Sequence, residues 1–135
     1  MSTFLAIVTA LGLLACGGQK DDEKSASVGE GVIMRIGDSV TVVDGGLQVR
    51  FEDVVRDSRC PPDVQCIRAG EAVVVLGVTT SDGTSTRLEL EVPPGGGAET
   101  TLEGHQIRVV SLEPPASSGE PLEPDAYVID LVVES

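Results

Sequence analysis

Alternation of apolar and polar residues organises most of this chain. In LQVRFEDVV, Leu47, Val49 and Phe51 fall on one side and Gln48, Arg50 and Glu52 on the other, the period of a strand with one buried face. EAVVVLGVTT, residues 71–80, is apolar on both faces and β-branched, which predicts a central strand. Ser81-Asp82-Gly83-Thr84 then turns the chain into STRLELEV, where Leu88, Leu90 and Val92 alternate with Arg87, Glu89 and Glu91, so these two segments form a hairpin. Pro93-Pro94-Gly95-Gly96-Gly97 ends it, because proline lacks the ladder donor and glycine has no side chain to pack.

The same reading places short strands at VIMR and SVTVV, separated by Ile36-Gly37-Asp38, and a turn at Asp44-Gly45-Gly46. Downstream come a short strand, a Glu103-Gly104 turn, a strand over Gln106 to Leu112, a proline-rich loop over 114–124, and a last strand with Tyr127, Ile129, Leu131 and Val133 on one face. No helical period is sustained from Val32 onward. The pattern predicts an all-β fold, an antiparallel β-sandwich or small barrel of about seven or eight short strands. Antiparallel pairing is expected throughout, since no connecting segment reads as a crossover.

The first residues have a different character. Phe4 to Leu14 is an uncharged apolar run, shorter than the roughly 20 residues a membrane-spanning helix needs. It suits the hydrophobic region of a signal peptide. The run ends in Leu13-Leu14-Ala15-Cys16, which resembles the lipobox of bacterial lipoproteins. That resemblance implies cleavage before Cys16 and a lipid on its sulfur. GGQKDDEKSASVGEG follows, small, polar and charged, the composition of a flexible tether. The expected organisation is a signal peptide over 1–15, a tether over 16–30 and one β-domain over 31–135. Gly17 rather than Asp after the cysteine implies, in the sorting rule that accompanies the lipobox, an outer-membrane destination.

Composition narrows the partners. The chain has 135 residues, one domain's worth, and a formal charge of -13, which repels nucleic-acid phosphates and anionic headgroups. Contact with a membrane is therefore expected through the lipid, and nucleic acid is excluded as a partner. Only Phe4, Phe51 and Tyr127 are aromatic, so the core is aliphatic and stacking pockets are disfavoured.

Residues 57–70, DSRCPPDVQCIRAG, hold the densest chemistry. An exported chain meets an oxidising compartment, so once Cys16 is lipidated Cys60 and Cys66 are expected to form a disulfide. Two roles are open for the closed loop. It is a staple that lowers the entropy of the unfolded chain, or a pre-organised binding loop, with Arg59, Pro61, Pro62, Asp63 and Arg68 as its contact residues, of the kind inhibitors present to a partner.

Other chemistry is sparse. His105 is the single histidine and no G-x-S-x-G elbow accompanies it, so a catalytic triad is not expected. Cys60 and Cys66 are spaced more widely than zinc-knuckle pairs, and the aspartates lack EF-hand order, which leaves at most a weak divalent-metal site. Glu89 and Glu91 share the outward face of one strand. No cofactor and no catalysis are expected.

The segment also resembles a pattern of small bacterial secreted proteins and lipoproteins of unknown function, Asp-Ser-Arg-Cys-Pro followed after a few residues by Cys, a variable residue and Trp-Ala-Gly. The matching positions are Asp57, Ser58, Arg59, Cys60, Pro61, Cys66, Ala69 and Gly70. The resemblance implies no activity. Arg68 stands where the pattern has tryptophan, and pairing of Arg59 and Arg68 with Asp57, Asp63 or Glu71 is expected. The functional expectation is a lipid-anchored envelope protein acting as a binding or structural module, with an envelope protein as its partner.

Overall fold

A computed structural model describes residues 23–116 and 122–135. The expected signal peptide, Cys16 and the first part of the expected tether lie outside the described residues. In chain order the strands are β1 (Glu23–Ala26), β2 (Gly31–Arg35), β3 (Ser39–Val42), β4 (Leu47–Asp57) and β5 (Ala72–Thr80). They continue as β6 (Ser85–Val92), β7 (Ala98–Leu102), β8 (His105–Glu113) and β9 (Val128–Glu134), with a 3-10 turn at Pro124–Ala126.

Two sheets result. One has the order β1-β3-β4-β5-β6 and the other β2-β9-β8-β7. Their inward faces meet in one core, in which Met34, Phe51, Leu76, Ile107, Ile129 and Leu131 are almost wholly buried. The architecture is a sandwich, not a closed barrel. Aliphatic side chains do fill it, with Phe51 and Tyr127 as its aromatics among the described residues.

The alternation of β4 is realised: Leu47, Val49 and Phe51 are buried and Gln48, Arg50 and Glu52 exposed. β5 lies between β4 and β6 and is buried on both sides. Ala72, Val74, Leu76 and Val78 enter the core, while Val73 and Val75 are covered on the outer face. Two register shifts interrupt the β4–β5 ladder, between Phe51 and Asp53 and between Val54 and Arg56.

The structure corrects two expectations. β1 lies inside the span read as a tether, so among the described residues strand structure is already present at Glu23–Ala26, ahead of residue 31. Its sequence, EKSA, carries no apolar alternation, and it is held by backbone pairing to β3, by burial of Ala26, and by Lys24, which reaches the Ile33 carbonyl and pairs with Asp38 at 3.2 Å. Pairing is also not antiparallel throughout, because β1 and β3 run parallel. The crossover that this needs is supplied by β2, which belongs to the opposite sheet.

Phe51 is fully buried where the two sheets face each other. Phe51→Ala is expected to lower unfolding free energy by about 3–5 kcal/mol in urea titrations, and Phe51→Leu by about 1 kcal/mol.

Candidate functional site

β4 ends at Asp57 and β5 begins at Ala72, and the cysteine segment is the connection between them. Its two legs keep pairing beyond the strands: the Ser58 amide donates to the Glu71 carbonyl at 2.8 Å and the Cys60 amide to the Ala69 carbonyl at 2.7 Å. The Ser58 hydroxyl links the same legs, donating to the Glu71 carbonyl and accepting from the Glu71 amide. Gly70 sits at φ +71°, and a Cβ there would overlap the Ser58 carbonyl oxygen. Only glycine fits between the legs.

Arg59 turns inward. Its side chain is 2% exposed and grips Asp57 as a fork, with Nε donating to Oδ1 at 2.9 Å and Nη2 to Oδ2 at 2.8 Å. Further donations go to the carbonyl of Pro114 at 3.0 Å, from Nη2, and to that of Leu112 at 3.4 Å, from Nη1. From the other side the Tyr127 hydroxyl donates to Asp57 Oδ2 at 2.9 Å. One guanidinium therefore joins the base of the loop to the end of β8, and one carboxylate joins it to the residue that precedes β9.

Titration properties follow from these contacts. The Arg59 hydrogen bond, opposed by burial and helped by Tyr127, holds the Asp57 carboxyl below its ordinary value of 3.8. Burial, and then the hydrogen bond to Asp57, push the Tyr127 phenol up to about 12. Hydrogen bonding to Asp57 also raises Arg59, which stays charged.

Above this base the loop is closed by the Cys60–Cys66 disulfide, with a Cα–Cα distance of 5.9 Å. A sequence separation of 6 gives a bridge contribution of about 2 kcal/mol on the chain-entropy account. Residues 61–65 lie inside the disulfide ring and Ile67 and Arg68 on the returning leg between Cys66 and Ala69, and the connection is exposed from Pro62 to Ala69. Ile67 is 105% exposed and Val64 44%. An isoleucine wholly in water, on a loop locked at its base, is the most conspicuous feature of this end of the molecule.

The structure thus divides the residues that the sequence grouped as one contact set. Pro61 is half-buried, and Pro62, Asp63 and Arg68 are exposed beside Ile67. Arg59 is removed from the set, because its side chain is buried and spends four of its five N–H donors on Asp57 and on the backbone carbonyls of Leu112 and Pro114. The expected Arg59–Asp57 pair forms, while Glu71 pairs with Arg56 at 3.1 Å and not with Arg68. Ile67 was missed. Its signal was an apolar residue in a polar, proline-bearing turn, outside any alternating pattern.

His105 opens β8 and is half-buried, not an isolated surface residue. A Cβ on Gly45 would lie 3.3 Å from its Cε1, 3.2 Å from Val42 and 3.6 Å from Val28, which places the ring at one end of the sandwich against apolar neighbours. Its Nδ1 is buried without a hydrogen-bond partner. Among the described residues, no group of three or more His, Cys, Asp and Glu gathers to hold a metal ion. Glu89 pairs with Arg87 at 3.3 Å on a well-exposed face. No helix among the described residues is long and apolar enough to cross a membrane.

Comparison with known protein families, curated proteins and solved structures finds no match to this chain.

The Asp57–Arg59–Tyr127 cluster makes stability respond to pH at both extremes. Asp57 is depressed in the folded state, so its contribution is present above pH 3.8 and lost as pH falls through the lower folded value. Tyr127 is raised, so its contribution is present below pH 10 and lost as pH rises through about 12. Denaturant titrations across pH are expected to show a shallower acid decline for Asp57→Asn and a shallower alkaline decline for Tyr127→Phe. At neutral pH Arg59→Met strands Asp57 without its cation and is expected to cost about 3 kcal/mol.

Proposed function

We propose that this chain is a lipid-anchored envelope protein, held through Cys16 and directed to the outer membrane, whose β-sandwich presents residues 61–68 to a protein partner without catalysing a reaction. The lipobox-like LLAC and the polar segment after it support the anchor. The single observation that carries the binding role is Ile67, fully exposed on the returning leg of a loop that is fixed by a disulfide and a partly buried ion pair. Ordering that loop during folding removes an entropic cost from binding, so an apolar anchor presented there engages a pocket efficiently. Val64 and the Pro61-Pro62 pair widen the apolar surface, and Arg68 adds a cation that an acidic rim on the partner complements.

Three experiments test this reading. Cys16→Ala is expected to move the chain from the detergent phase to the aqueous phase, and partitioning that survives the substitution overturns the anchor. A photo-crosslinking residue at position 67 is expected to give a discrete envelope adduct, while one at Val43, also exposed and apolar, gives none. Ile67→Ser is expected to weaken the captured interaction about tenfold with stability unchanged. Equal adducts from both positions remove the loop from the binding role.

A further inference from the structure

The outer face of the five-stranded sheet has a depression that its strand order builds. β5 is an interior strand, and at one rung Gly77 stands between Arg50 of β4 and Arg87 of β6. Strands lie about 4.8 Å apart, so the two arginines are anchored about 10 Å from each other across a residue with no side chain. The hollow above Gly77 has a volume of about 370 Å³. At the next rung Gln48, Thr79 and Ser85 supply an amide and two hydroxyls, and the hydroxyls lie 3.2 Å apart.

Glu52 completes the arrangement. It falls at the register shift between Phe51 and Asp53, so it has no partner residue on β5, and its side chain leans over the glycine. A Cβ on Gly77 would overlap the Glu52 carboxylate, so the glycine is what allows the carboxylate to occupy the centre. Arg50 makes no ion pair among the described residues. Arg87 has only the exposed pair with Glu89, which a competing anion displaces at little cost.

We propose that this trough binds an acidic saccharide, with ligand carboxylates on Arg50 and Arg87 and ligand hydroxyls on Glu52, Gln48 and Thr79. Guanidinium groups pair with carboxylates through two hydrogen bonds each, and Arg50 and Arg87 form a local cationic pair on one face of a chain whose net charge of -13 otherwise repels anions. The carboxylate between them keeps a single compact anion out of the centre and accepts from hydroxyl groups instead. A peptide is disfavoured, because β5 already spends its backbone groups on β4 and β6 and offers none for strand addition. The grip comes from charge and hydrogen bonds, as the lack of an aromatic platform requires. This face is separate from the 61–68 loop, so either role stands or falls without the other.

The test is amide NMR titration of the full chain with trigalacturonate, maltotriose and inorganic phosphate. Trigalacturonate is expected to shift the amides of 48–52, 77–79 and 85–87, with maltotriose and phosphate silent. Arg50→Gln and Arg87→Gln are each expected to weaken it about tenfold. Gly77→Ala fills the floor and displaces only the flexible end of Glu52, so it is expected to keep the native spectrum while abolishing the response. No shifts with trigalacturonate, equal shifts with maltotriose, shifts at these amides with phosphate alone, or an undiminished response in natively folded Gly77→Ala each overturn the assignment.

Discussion

The ion pair between Arg59 and Asp57 is the contact on which this end of the molecule depends. Neither side chain could be left there alone, since a guanidinium with its side chain 2% exposed requires both its counter-charge and its carbonyl acceptors. With both present, the connection between β4 and β5 is fastened to the carbonyl end of β8 and, through Tyr127, to the approach to β9. The two sheets are thereby tied by polar contacts at their margin as well as by the aliphatic core. The disulfide acts farther out, on a loop whose base that pair has already positioned.

Much of the sandwich was legible in the sequence because its strands bury one face each, and burial of one face writes a period of two. Leu47, Val49 and Phe51 state it directly, and the uninterrupted valines of β5 state its interior position. β1 was illegible for the converse reason: it is polar, lies at a sheet edge, and contributes Ala26 alone to the core. The same polarity made it read as tether. Parallel pairing was hidden because its crossover is a strand of the other sheet, which looks like an ordinary hairpin partner when only spacing is considered.

The loop was half legible. Cysteine count, with the expected export, foretold the bridge, and the aspartate and arginine two residues apart foretold a pair. What one-dimensional text could not reveal was direction. Arg59 and Arg68 are the same residue type in the same segment, yet one is swallowed by carbonyls at the end of β8 and the other faces water. The trough was illegible in a different way. Arg50, Gly77 and Arg87 are far apart in the chain and become neighbours only through the register of three strands, while Glu52 is aimed by a shift in that register.

The early start of β1 limits how far the domain can stand from its proposed anchor. From Cys16 to Glu23 is seven residues, and a fully extended chain of that length reaches at most about 25 Å. On the proposed anchoring, β1 starts within about 25 Å of the lipid surface, so geometry, beside chemistry, becomes a filter on the proposed partner.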